Sequence, residues 1–154
     1  MQTKLLPPGG NCFAACVASI LELDLADVPA VEFEKVNGSP DDPDAVRFWR
    51  TWRNWLAEIG FGRACIGATR DDGVLFEPDG YAILTGKSPR GEWNHSVVCF
   101  NGQLRHDPYP DGDGVRAPYV AWEILYPHSP ADGLDLEKVA AGRRYLAQIK
   151  ESPR

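Results

Sequence analysis

The dipeptide Asn101-Gly102 constrains this chain more than any other feature. It sits between His95-Ser96-Val97-Val98-Cys99-Phe100 and Gln103-Leu104-Arg105-His106-Asp107. Asn and Gly tolerate the left-handed backbone that a tight hairpin turn needs, and the run before them is apolar and β-branched. The stretch therefore predicts two antiparallel strands joined by a short turn, and with them a sheet. Further strands are expected at 63–66, at Tyr81-Ala82-Ile83-Leu84-Thr85 and over 119–126. A Gly/Pro loop at 86–93 and a turn-rich stretch at 108–118 separate them.

Helices precede the sheet. Asn11 is suited to cap a helix over 12–23, where Phe13, Cys16, Val17, Ile20 and Leu21 recur at helical spacing. After a turn-forming loop at 37–43, a second helix is predicted over 44–59, with Asp44 as its cap and Gly60 as its stop. Trp49, Trp52, Leu56 and Ile59 form one stripe of that helix, widened by Phe48 and Trp55. A wide aromatic stripe is the face of a helix buried in a core, so these tryptophans read as packing rather than as a ligand box. A terminal helix is expected over about 134–150, with Val139, Leu146 and Ile149 facing inward. The order predicts a single α+β domain over 1–154, its core over about 2–126, with the helices segregated from an antiparallel sheet.

Composition narrows the partners. With 154 residues, 44% hydrophobic and 25% charged, the chain can bury a core of ordinary size. Its net charge of −6 disfavours a nucleic-acid partner, which would call for a basic face. No apolar run is long enough to span a bilayer. The stretch 1–8 is too short and too proline-broken for a signal peptide, so a cytoplasmic location is expected. In such a compartment Cys12, Cys16, Cys65 and Cys99 are expected as free thiols or ligands rather than disulfides. Cys16, Cys65 and Cys99 read as core residues. The acidic, aromatic-rich composition points to a peptide or protein as the binding partner; nothing in the sequence indicates the oligomeric state.

Chemistry concentrates in three places. Gly9-Gly10-Asn11-Cys12 puts a thiol at the first position of a helix, where free N–H groups favour a thiolate and can receive a developing oxyanion. His95 opens a strand and is a candidate base, and Asp107 closes the next strand and is a candidate to orient it. Register decides whether the last two meet. A plain two-residue turn with regular strands pairs Phe100 with Gln103 and places His106, not Asp107, on the face of His95. A three-residue loop pairing Cys99 with Gln103, or an equivalent one-residue irregularity, puts His95 and Asp107 on the same face.

These elements resemble the papain-like cysteine peptidase superfamily. Gly-Asn-Cys-Phe opens a buried helix, His-Ser-Val-Val lies on a strand, and Asp-Pro follows the next strand. The C39-like branch, with Cys, His and Asp followed by Pro, is the nearest in pattern, and Gly-Asn-Cys is also similar to the nucleophile motif of ovarian-tumour-type deubiquitinases. Small phage and bacterial proteins share the layout, including Gln2-Thr3 near the start and Ser88-Pro89-Arg90-Gly91 before the histidine. A phage-encoded member would act in the host cytoplasm. The resemblance implies a papain-like fold, its nucleophile-bearing helix packed on an antiparallel sheet. It also implies a cofactor-independent thiol hydrolase with a Cys12, His95 and Asp107 triad, acting on a peptide, isopeptide or amide bond. Family members carry an oxyanion-hole glutamine about six residues before the cysteine, where this chain has Leu6. Gln2 is then the candidate donor, provided the intervening loop folds back, and Asn11 the lesser one. Trp93, just before the base, is a candidate lining residue.

Two other classes stand beside this reading. A papain-like fold can serve as a catalytically silent binding module. Alternatively, Cys12 and Cys16, one helical turn apart, and His95 and Cys99, on one strand face, could converge on a structural zinc ion.

Overall fold

A computed structural model describes residues 1–3, 10–31, 42–70 and 72–128. They form an α+β arrangement of two α-helices and a five-stranded antiparallel sheet. The helix expected over about 134–150 lies outside the described residues.

Helix α1 (Cys12–Leu21) buries Phe13, Ala14, Ala15, Cys16, Val17, Ala18 and Ile20. A helix apolar on nearly every side has almost no solvent face, so it sits inside the molecule. It ends two residues earlier than its apolar pattern suggests. Glu22 takes the left-handed conformation (φ 54°), and the Leu23 N–H closes the end on the Ala18 carbonyl at 2.9 Å.

Helix α2 (Pro43–Glu58) is capped by Asp42, not by Asp44: the Asp42 carboxylate accepts from the Asp44 N–H at 2.9 Å. Pro43 explains the offset, because proline suits the first helical position and lets the preceding aspartate cap it. Gly60 (φ 85°) ends the helix, as its conformational freedom suggests. Phe48, Trp52 and Leu56 are buried, with Trp49 and Trp55 packed alongside. The Phe13 ring meets Trp52 edge-on at 5.1 Å and Trp49 at 5.3 Å, so the aromatic stripe joins the two helices.

The strands are β1 (Phe61–Gly67), β2 (Tyr81–Lys87), β3 (Asn94–Phe100), β4 (Gln103–His106) and β5 (Arg116–Pro127). Their spatial order is β1-β5-β2-β3-β4, so β5 returns to lie between β1 and β2. Ile83 and Val98 pack into the helix-bearing core, with Leu125 against it. Ala82, Leu84, Val97, Cys99 and Trp122 form a second core on the opposite face, flanked by Leu75 and Phe76. Two-residue alternation along each strand feeds both cores.

Cys65 departs from its expected core position. It is exposed, because β1 is an edge strand whose burial fades towards its end. Opposite Cys65, Glu123 is buried and paired with Arg63 at 2.6 Å, and the Arg63 guanidinium lies 3.8 Å over the Trp49 ring. Burial holds the Glu123 carboxyl above its ordinary range even against the Arg63 charge. No helix among the described residues is long and apolar enough to cross a membrane.

Candidate functional site

The site is built at the β3–β4 hairpin. Asn101 (φ 49°) and Gly102 (φ 75°) both have positive φ, the pattern of a type I′ turn, and Phe100 pairs with Gln103. The turn is therefore the plain two-residue form, not the three-residue loop. With regular strands it would turn Asp107 away from His95. The ladder is not regular, however. Cys99 pairs with Leu104 and Val98 with His106, which leaves Arg105 as an extra residue. That single bulge restores the parity, and Asp107 comes round to His95.

The His95 Nε2 to Asp107 Oδ1 distance is 2.7 Å, and the two side chains are only 4% and 2% exposed. Asp107 Oδ1 also accepts from the Tyr109 N–H at 2.8 Å, and Oδ2 accepts from the Gly114 N–H at 2.8 Å. Burial alone would raise the Asp107 pKa. Hydrogen bonds from His95, Tyr109 and Gly114, with the His95 charge, outweigh it and hold the carboxyl below its ordinary value. An ionised carboxylate only accepts, so Nε2 carries a proton. In the neutral ring Nδ1 is then the basic nitrogen. Burial is the larger influence on His95 and lowers its pKa, against the raising effect of Asp107 and with the Arg90 charge.

Cys12 is the first residue of α1 and is half-buried. Its thiol lies against the backbone N–H and hydroxyl of Ser96, the residue after His95, and against the N–H groups of Phe13 and of Cys12 itself. These donors favour the thiolate, but burial is the larger effect and pushes the thiol up. The isolated groups therefore favour a neutral thiol at Cys12 and a neutral imidazole at His95, the opposite polarity to the thiolate expected from the helix N-terminus. Cys16, one turn on, is fully buried and donates to the Ser96 carbonyl at 3.3 Å. The Ser96 hydroxyl pairs with Thr85 Oγ1 at 2.9 Å.

Ser96 thus ties both α1 thiols to β3, a part that sequence reading missed. A serine at an otherwise apolar strand position beside the candidate base was the available signal. Arg90 was also missed as a participant. Its Nη1 stands 3.8 Å from Asp107 Oδ2, and its guanidinium lies 3.8 Å over the Tyr109 ring.

The Gln2-Thr3 segment lies against the start of α1. The Thr3 N–H donates to Asn11 Oδ1 at 3.1 Å, and Asn11 Nδ2 donates to Thr3 Oγ1 at 2.9 Å. Asn11 makes no side-chain cap to α1; its carboxamide braces the Gln2-Thr3 segment instead. Gln2 is buried, and its N–H donates to the Pro108 carbonyl at 3.1 Å, one residue beyond Asp107. Gln2 is therefore held beside the end of β4, the Asn11 carboxamide is engaged by Thr3, and Leu6 lies outside the described residues. Trp93 is half-buried, its carbonyl accepts from the Ser88 N–H at 2.9 Å, and its ring lies over Gly91, leaving no room for a Cβ there.

The four-residue zinc set does not converge. Cys99 packs with Ala82 and Trp122 on the face opposite α1, while Cys16 packs in the helix-bearing core. Strand alternation separates them. Among the described residues, no group of three or more His, Cys, Asp or Glu is placed to hold a metal ion.

Comparison with family models, with curated proteins and with solved structures finds no match to this chain.

Proposed function

We propose that this chain is a papain-like cysteine hydrolase that cleaves a peptide, isopeptide or amide bond through a thioester. The observation that carries the reading is the buried His95–Asp107 pair at 2.7 Å, adjoining Ser96, against which the Cys12 thiol lies. In the proposed reaction His95 Nδ1 takes the thiol proton as Cys12 Sγ attacks the substrate carbonyl carbon. The carbonyl oxygen becomes an oxyanion and is met by the Cys12 N–H and the Gln2 carboxamide. Collapse breaks the C–N bond, and His95 returns its proton to the departing amine. His95 then deprotonates water, which attacks the thioester and releases the carboxylic acid, and Cys12 recovers its proton. Because burial favours the neutral thiol and neutral ring, proton transfer accompanies attack rather than preceding it.

Iodoacetamide labelling of Cys12, located by peptide mass, tests the pair. A rate at neutral pH that falls about tenfold or more in His95→Ala supports the reading. Equal rates in the two proteins reject it. The raised Cys12 thiol favours one other reading, a catalytically silent binding module, and a Cys12 inert in both proteins would select it.

A further inference from the structure

Arg90 is a charged residue beside the dyad that the proposed reaction does not use. It lies in the loop between β2 and β3, and its side chain is 14% exposed. Both Nη atoms are buried with no hydrogen-bond partner among the described residues. A guanidinium has five donors in a fixed fork, so leaving its tips unbonded inside a protein is costly. Two interactions hold it there: the Tyr109 ring face at 3.8 Å and Asp107 Oδ2 at 3.8 Å, too long for a hydrogen bond but close enough for charge attraction.

We propose that Arg90 is a positioning residue that acts through Asp107 and sets the charge state of the His95–Asp107 pair. The cation pulls on the oxygen that His95 does not use. It also opposes a second positive charge on the ring, and so adds to burial in keeping the imidazole neutral and Nδ1 free to accept a proton. Tyr109 couples the two loops: its N–H binds Asp107, its ring carries Arg90, and its edge-to-face contact with His95 spans 6.4 Å between centroids. The other neighbours of His95 leave this role to Arg90. β2 presents Gly86 opposite it, and the end of β4 and the turn after it present Asp107 and the Tyr109 ring.

The role rests on the His95–Asp107 pair of the proposed hydrolase, but its test needs no substrate. The His95 ring nitrogens are followed by NMR from about pH 4 to about pH 9, spanning the ordinary histidine range. Arg90→Gln is expected to raise the His95 midpoint by on the order of half a unit. Arg90→Met, which keeps a stem on Tyr109 and leaves no buried charge, is expected to do the same and carries the test should the glutamine variant not fold. Arg90→Lys, which keeps the charge without the fork, is expected to hold the midpoint at its wild-type position. The proposal is overturned if the neutral variants leave the midpoint unmoved, or if Arg90→Lys shifts it as far as they do. Labelling that is indifferent to His95 would sink the hydrolase reading and leave this result standing by itself.

Discussion

Asp107 reaches His95 because Arg105 is unpaired. From a turn that pairs Phe100 with Gln103, an unbroken ladder would set Asp107 opposite Ser96, on the wrong face. The extra residue between Leu104 and His106 shifts the count by one, and the carboxylate lands 2.7 Å from Nε2.

Asp107→Asn tests what that contact does. The amide keeps the shape but loses the charge, and its NH2 can face the ring, reversing the tautomer. Cys12 labelling or hydrolytic turnover should fall by roughly 10²-fold to 10⁴-fold while the circular dichroism spectrum stays that of the wild type. Unchanged reactivity would remove Asp107 from the site.

Stability should depend on pH through the same pair. His95 has a folded pKa below its ordinary value of 6.5, so on acidification the unfolded chain takes up a proton that the folded chain resists. Unfolding free energy should therefore drop as pH falls below 6.5. Asp107, also depressed, adds a further drop in the range below 3.8. Urea melts across this range check it, and His95→Gln should flatten the upper part of the slope. A slope unchanged in that variant contradicts the buried neutral ring.

Gly102→Ala probes the turn. Its φ of 75° strains an L side chain, and a Cβ would stand 2.7 Å from the Glu77 carboxyl carbon. The loss should be about 1–2 kcal/mol in a denaturant melt. Gly112, also at positive φ but with nothing within 4 Å, should cost less when replaced by alanine. Equal losses at both would show that crowding by Glu77 is unimportant.

Arg63→Ala leaves Glu123 buried without its cation. Breaking such a pair from one side costs about 3–5 kcal/mol, because the remaining charge has lost its compensation. Arg63→Ala with Glu123→Gln should recover part of that loss. If the single variant melts like the wild type, the carboxyl is already neutral in the folded chain.

Local chemistry made some of this protein legible from its residues alone. The start of α1 at Cys12, the stop of α2 at Gly60 and the turn at Asn101-Gly102 depend on a few neighbouring residues and their allowed backbone angles. The aromatic stripe of α2 could be read as core because helical spacing alone puts it on one face. Other features depend on which segments meet. β5 enters between β1 and β2, which leaves β1 at the edge and Cys65 in solvent. Ser96 meets the thiols of α1 because the helix packs on β3, a contact 80 residues apart in the chain for Cys16. Periodicity carries no sign of the bulge at Arg105, since a bulge forms only when both strands pair and their ends must fit. The sequence by itself determined the start of α1, the stop of α2, the tight turn at Asn101-Gly102 and which residues could do chemistry. Only the tertiary structure decided that Asp107 faces His95 and that Arg90 stands behind it, because long-range pairing sets which side chains share a face.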